Sequence, residues 1–354
     1  MKRKGKTCAV WALLTLVLFA QCASQPPVFS EAEWLQRIQA ADSSLLYASN
    51  VTEEGVFYNP WLQRHRTQKS GSWFFHKREK YEKLSRDQYG PVSNDYSYLS
   101  DNNFDSITFA GHASMIIKMD GQCVFTDPFF SNAALIAPKK EKIKFDFSKV
   151  PEKPVVLISH NHYDHLDKYS VQQLAKKDAV FIVPLGLQKT VAGYGAKEIH
   201  ELDWWQSVKI GAIEYTLLPA QHWSRRIGQG GGKTLWGGFL IRGSRTVYFS
   251  GDTGYFNGFK EFASRWEIDY AILGAGAYEP RWFMHYSHMN IVEFLRAADD
   301  LKAKYAIPMH FGVISLSDEP LFYPLFEIEN AVKENPLIAE KVRPLRVGEY
   351  LRIQ

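Results

Sequence analysis

Cysteine is scarce: three in 354 residues, at Cys8, Cys22 and Cys123. A disulfide-stapled scaffold is thereby excluded, and Cys123, inside Gly121-Gln122-Cys123-Val124-Phe125, reads as a small buried hydrophobe. A basic surplus is missing too. Lys and Arg number 42 against 38 Asp and Glu, but Lys2, Arg3, Lys4 and Lys6 supply the whole excess, leaving 38 bases against 38 acids. No basic tract remains to follow a phosphate backbone, so nucleic acid is not an expected partner. The apolar run from Cys8 to Ala20 is too short to span a bilayer, which takes about 20 residues. No repeat of solenoid type recurs. What is present, 45% hydrophobic and 14% aromatic residues, suffices for a large core and argues against disorder.

Residues 1–21 join a basic start to that apolar run and read as an export signal. The run ends at Phe19-Ala20-Gln21-Cys22, ahead of Ala23-Ser24-Gln25-Pro26-Pro27, and resembles a bacterial lipoprotein cleavage site. The expectation is acylation of Cys22 and a lipid-anchored membrane lipoprotein in a bacterial cell envelope. Simple cleavage nearby or an uncleaved anchor are the alternatives. Residues 23–105 are aromatic, charged and irregular, with amphipathic helices expected over 31–46 and 73–84. They read as a lead-in wrapping a domain that occupies 106–354.

From residue 106 the pattern changes to short strands, at 106–110, 114–119 and 122–126, separated by glycine-containing turns. Further strands are expected at 179–183, 198–202, 213–218, 235–241, 246–250, 269–273 and 305–308, with helices over 167–177 and 290–304. Strands first, then mixed strand and helix, imply an α/β chain with two sheets covered outside by helices.

The densest chemistry is Ser159-His160-Asn161-His162-Tyr163-Asp164-His165-Leu166-Asp167, with three imidazoles and a carboxylate inside six positions. It follows Pro154-Val155-Val156-Leu157-Ile158, which has the β-branched content of a buried strand. Residues two apart in extended backbone face the same way, so His160 and His162 can grip one ion while Asp164 and His165 face a second. A solvated polar turn is the bland alternative. Zinc takes about four ligands with a position left open for water, so further donors are needed. His222, Asp252 and His310 each follow an apolar strand pattern and supply them. The expected assignment gives one ion His160, His162 and His222, the other Asp164, His165 and His310, with Asp252 bridging. Two cations would acidify a water between them and stabilise charge building on a scissile centre. Imidazoles with carboxylates and no thiolate favour two zinc ions, although iron or manganese could fill the same shell. Asp127, in Thr126-Asp127-Pro128, is expected behind a ligand histidine, with a turn or cap role as the rival. His112, in Ala110-Gly111-His112-Ala113, is expected to orient loops near the site. His65, His76, His200 and His285 lack such context and read as surface or packing residues.

Taken together, the 160–167 motif, Asp127, His222, Asp252 and His310 resemble the metallo-β-lactamase superfamily, which implies a four-layered αββα sandwich. Over residues 105–350 the match narrows. Gly111-His112-Ala113-Ser114, Glu201-Leu202-Asp203-Trp204-Trp205, Gln221-His222-Trp223, Gly251-Asp252-Thr253-Gly254-Tyr255 and Gly276-Ala277-Tyr278-Glu279-Pro280-Arg281-Trp282-Phe283-Met284 are similar to the N-acyl-phosphatidylethanolamine-hydrolysing phospholipase D family. Asn59-Pro60-Trp61 in the lead-in fits as well. The resemblance implies a zinc phosphodiesterase at a membrane surface, cutting N-acyl-phosphatidylethanolamine or a related phospholipid to phosphatidic acid and the head-group alcohol by hydroxide attack on phosphorus. It implies a catalytic part for Asp164 and for His288, the latter near the substrate phosphate, and a substrate contact for Tyr163. A homodimer also fits it. Arg225, Arg226 and Ile227 suit an interfacial loop, where cations meet lipid phosphates and an apolar tip dips inward, with a plain solvated loop as the alternative. A lactone, thioester or soluble phosphodiester is the alternative substrate for the same site, and a non-catalytic envelope lipid-binding protein is a third reading.

Overall fold

The computed structural model describes residues 28–63, 76, 78–101, 104–135, 137–141 and 143–353. The export leader, Cys22 and His65 lie outside the described residues. Period-two alternation builds the first sheet. Along β1 (Asp105–Gly111), β2 (Ser114–Met119) and β3 (Gln122–Thr126), Ile107, Phe109, Met115, Ile117 and Val124 fall on one face. Ala110, Ile116, Cys123 and Phe125 fall on the other, and both faces are buried. A sheet of that kind needs a covering layer on each side. After the small hairpin β4/β5 (Ala133–Ala134, Ala137–Pro138), the strands β6 (Val155–Leu157), β7 (Val180–Pro184) and β8 (Glu198–Leu202) extend the sheet in parallel from β3.

The second sheet begins with β9 (Ser207–Ile210) and β10 (Ile213–Leu218). A second small hairpin, β11/β12 (Arg225–Arg226, Gly230–Gly231), intervenes before β13 (Gly238–Arg242), β14 (Thr246–Phe249), β15 (Tyr270–Gly274) and β16 (Tyr305–Met309). A last strand, β17 (Tyr350–Ile353), returns to pair with β1. The orders are β17-β1-β2-β3-β6-β7-β8 and β16-β15-β14-β13-β10-β9.

Between the sheets, Ile107, Met115, Leu157 and Ile182 share one core with Tyr215, Leu217, Phe239 and Phe249. Helices cover the outer faces. Their ranges in chain order are α1 (Glu31–Gln39), α2 (Lys168–Ala175), α3 (Gly258–Arg265), α4 (Ile291–Asp300) and α5 (Tyr323–Glu334). α2 lays Val171 and Leu174 against Phe125, Val156 and Phe181. On the opposite side α4, opened by a capping box of Asn290 and Glu293, buries Ile291, Phe294 and Ala297 against β15 and β16. The layers therefore run αββα, as expected.

The lead-in departs from its expected outline. The helix expected over 31–46 is split into α1 and a 3₁₀ turn at Ser43–Tyr47. Of the helix expected over 73–84, residues 73–75 and 77 lie outside the described residues, and 78–84 are not helical; one helical turn, Arg86–Tyr89, follows. The charged run around Glu79 to Lys83 offers only Tyr81 and Leu84, both half-buried, so it lacks an apolar stripe to dock. Trp34, Ile38, Leu46 and Trp61 nevertheless join the main core. No helix among the described residues is long and apolar enough to cross a membrane.

Candidate metal centre

Each candidate ligand sits just past a strand, on the edge where the parallel strands end. His160 lies beyond β6, His222 beyond β10, Asp252 beyond β14, and His310 directly after β16; Asp127 directly follows β3, and His112 turns β1 into β2. Three of these adopt left-handed backbone, with φ of 58° at His112, 37° at Asp127 and 74° at His310. Such conformations cost roughly 1–3 kcal/mol each and persist only where surroundings fix them. Here Asp127 N donates to Leu157 O at 2.9 Å, His112 N to Phe311 O at 2.9 Å, and His310 N to His112 O at 2.7 Å. Gly251, at φ 56°, precedes Asp252; a Cβ there would stand 2.6 Å from Ser159 Cβ, so only glycine lets the two loops approach.

The side chains converge in two adjoining groups. His160, His162, His222 and Asp252 form one, and His112, Asp164, His165 and His310 the other, each with its donor atoms within 4.8 Å of one another. In the first, His162 Nδ1 lies 2.7 Å from His160 Nε2 and 3.3 Å from His222 Nε2. In the second, His165 Nε2 lies 3.3 Å from both Asp164 Oδ2 and His310 Nε2. Asp252 stands between them. Its Oδ2 is 3.1 Å from His165 Nε2, 3.9 Å from His160 Nε2 and 3.8 Å from His222 Nε2, while its Oδ1 is 3.0 Å from His310 Nε2. His112 comes closer than a loop-orienting role required: its Nε2 is 2.7 Å from Asp164 Oδ2.

Hydrogen bonds behind the cluster settle which ring nitrogens carry protons. Asp127, fully buried, accepts from Ser159 N at 2.6 Å, from Ser159 Oγ, and from His165 Nδ1 at 2.7 Å. Because the Ser159 hydroxyl proton goes to Asp127, its oxygen accepts from His160 Nδ1 at 2.8 Å. His222 Nδ1 donates to the Ser287 carbonyl at 3.2 Å. His160, His165 and His222 thus turn Nε2 inward, and in a neutral ring that nitrogen is a lone pair. Asp252 Oδ1 is buried and, although 3.0 Å from His310 Nε2, makes no aligned hydrogen bond among the described residues. Converging lone pairs and an orphaned carboxylate oxygen fit a cation better than a hydrogen-bond network, so these residues suit metal ions.

Charge follows from the same geometry. Burial, reinforced by neighbouring imidazoles, drives the pKa of His160 well below the ordinary histidine value, and burial does the same for His222. Burial also brings His112 and His162 down to about 4 and His288 to about 3. These rings are neutral at pH 7, the state in which histidine ligates. Burial also opposes charge on His165, yet Asp252, Asp164 and Asp127 outweigh it and hold its pKa well above normal. For Asp164 and Asp252, burial is outweighed by the facing histidines, which keep both carboxyls well below their usual range. To hold a cation here, His165 would give up its Nε2 proton.

His288 joins Asp252 and His310 at the rim of the cluster, its ring 5.1 Å from that of His310. The Tyr163 ring lies 3.9 Å beneath the Arg226 guanidinium. Arg226 is not the lipid-facing cation expected of it: it is buried and donates Nη1 to Asn161 O at 2.7 Å, because the metal loop needs that carbonyl satisfied. Arg225 and Ile227 are exposed. His285 packs on Phe29 and Trp34, His76 pairs with Asp318, and His200 is half-exposed beside Glu198. Two residues of the quoted motifs act as braces, a role the sequence did not assign them. Asn59 donates to the His222 carbonyl at 3.0 Å and to Tyr286 at 2.8 Å, and Gln221 accepts from Trp61 Nε1 at 3.2 Å.

Against known proteins, the family model described as Beta-lactamase superfamily domain matches residues 123–311, more than half of the chain. The chain belongs to the metallo-β-lactamase superfamily. The mitochondrial N-acyl-phosphatidylethanolamine-hydrolyzing phospholipase D of Saccharomyces cerevisiae is 31% identical to this superfamily member over 238 residues, covering 63% of this chain and 50% of that one. The chain thus spans half the length of that relative. A metal-dependent hydrolase of Methanopyrus kandleri is 28% identical over 211 residues, 58% of this chain and 84% of that one. Among solved structures, a metallo hydrolase from Ignicoccus hospitalis shares the fold, with a TM-score of 0.53 and 20% identity over 71% of this chain and 99% of that one. Superfamily membership and the His/Asp cluster together make this protein a metal-dependent hydrolase.

Proposed function

We propose that the chain is a dinuclear zinc phosphodiesterase that hydrolyses N-acyl-phosphatidylethanolamine or a related phospholipid to phosphatidic acid and the head-group alcohol, in the envelope of a bacterium and tethered there through Cys22. The observation that carries this reading is a groove of about 510 Å³ whose lining includes His222 together with the apolar Val56, Phe57, Trp223 and Trp236, beside the polar Asn59 and Gln63. A phosphodiester placed at the His/Asp cluster would lay an acyl chain along that apolar wall, which a small soluble ester has no use for. The yeast relative, named for this reaction, adds support.

Zinc bound here would neutralise phosphodiester charge and acidify a water. The chain's own parts are positional. His160, His162 and His222 hold one side, Asp164, His165 and His310 the other, and Asp252 reaches both. His288, at the rim, would donate a hydrogen bond to a phosphate oxygen. Asp127 and Ser159 keep His165 and His160 in their ligating tautomers.

The fuller coverage of the archaeal hydrolase, 84% against 50% of the yeast enzyme, favours a second reading in which the same site cuts another ester. Purified protein incubated with N-acyl-phosphatidylethanolamine micelles and analysed by mass spectrometry decides between them. Release of phosphatidic acid is expected; turnover of a lactone or soluble diester without it would overturn the phospholipid reading. Labelling cells with a fatty-acid analogue tests the tether, and an unlabelled mature chain would remove it.

A further inference from the structure

The hairpins β4/β5 and β11/β12 are far apart in sequence, yet both turn outward at an apolar residue. Leu135, at φ 57° on the first tip, is 51% exposed, and Ile227 on the second is 74% exposed. Both line one cleft of about 410 Å³ whose wall includes Tyr163 of the metal loop. Isolated exposed aliphatics need no explanation, but two at the rim of one cleft beside a catalytic loop do.

The charges around them share one sign. Lys168 lines the cleft and is exposed, and Arg225 is exposed beside Ile227. The single carboxylate in the lining, Asp167, is buried and accepts from Ser131 N at 3.0 Å, Ser170 N at 3.2 Å and Ser170 Oγ at 2.6 Å. Apolar tips flanked by cations, with no exposed carboxylate among the described residues of the lining, match an anionic lipid surface rather than a polar protein partner. The second hairpin is also fixed relative to the metal centre. Asn161, between His160 and His162, accepts from Arg225 N at 2.9 Å and donates to Gln229 Oε1 at 3.2 Å.

We propose that Leu135 and Ile227 insert together into the acyl region of a membrane while Lys168 and Arg225 meet anionic head groups, seating the metal loop against the lipid. This rests on the phospholipid reading and names the face through which it operates. Each inserted aliphatic side chain contributes at least about tenfold to partitioning, so Leu135→Ser with Ile227→Ser should weaken binding by about 100-fold.

The experiment is co-sedimentation of the full-length protein, in a Cys22→Ser background so that no acyl group at that position adds affinity, with phosphatidylglycerol–phosphatidylcholine vesicles. The parent should bind with affinity rising with the phosphatidylglycerol fraction. The double variant should lose about 100-fold while keeping its metal content and circular dichroism, and Lys168→Gln with Arg225→Gln should abolish the dependence on phosphatidylglycerol. Equal binding by parent and double variant, or no vesicle binding by the parent, as for a face that docks protein, would overturn the proposal. Sedimentation involves no turnover, so a chain that docks through these tips but releases no phosphatidic acid would defeat the substrate reading alone.

Discussion

Replacing Asp127 by Asn tests the tautomer argument most directly, because it removes one proton acceptor and changes almost no volume. The carboxylate takes three hydrogen bonds, from Ser159 N and Ser159 Oγ and from His165 Nδ1. An amide accepts all three in neither orientation. With its NH₂ toward Ser159 Oγ and His165 Nδ1, both relays reverse, and the lone pairs of His160 and His165 leave the centre. With its NH₂ toward Ser159 N, two donors confront each other across 2.6 Å in a fully buried site. The first orientation satisfies every group but turns the imidazole lone pairs away from the cation, and the second leaves a buried polar group unsatisfied, at about 1–3 kcal/mol. That corresponds to roughly 10- to 100-fold in cation affinity, the range usual for partners of metal-bound histidine. Because Asp127 serves His165 directly and His160 through Ser159, we expect the upper end. The assay is zinc competition against a chromogenic chelator, with urea unfolding of the chelated protein as a fold control. An Asp127→Asn protein that binds zinc with the parent's affinity would refute the relay.

Three other outcomes follow from the same contacts. Asp252→Asn, which removes the carboxylate lying 3.0–3.1 Å from His310 and His165 and 3.8–3.9 Å from His222 and His160, should deplete metal from both groups and cut hydrolysis by more than about 100-fold; unchanged metal by elemental analysis would contradict the bridging position. Gly251→Ala should destabilise the protein by about 1–3 kcal/mol, through left-handed strain and the contact with Ser159, as read from urea midpoints, and a neutral result would mean the loops can part. Burial raises the Glu319 carboxyl from 4.5 to about 7, so between these values the folded state holds the extra proton and stability falls as pH rises. The slope is at most about 1.4 kcal/mol per pH unit from this group. Glu319→Gln should flatten it between pH 5 and 7; an identical slope would place Glu319's ionisation elsewhere.

Strand periodicity made much of the scaffold readable. The ranges expected at 198–202 and 213–218 coincide with β8 and β10, where turn residues bound the alternation. Elements without a strong pattern escaped: β9 is a half-exposed edge strand, β17 closes the first sheet from the far end of the chain, and α5 opens with Pro324 among aromatic residues. The candidate ligands were legible because each is a metal-binding residue type just past an apolar run. Ser159, Asn59 and Gln221 were not. Their roles depend on partners 32, 163 and 160 positions away, which no local pattern in the sequence brings together. Arg226 misled for the converse reason, since a cation beside an apolar residue looks the same whether it faces lipid or caps a carbonyl.

The Asn59 brace bears on where the protein can be cut. Residues 28–63 seal the groove wall, hold the His222 carbonyl and contribute Trp34 and Trp61 to the interior, while the family match begins only at residue 123, after His112, β1 and β2. An excised fragment drawn to the borders of that match would expose indole and phenyl surface and release one side of the histidine cage. The smallest piece able to stand alone extends well beyond the stretch by which its kin are recognised.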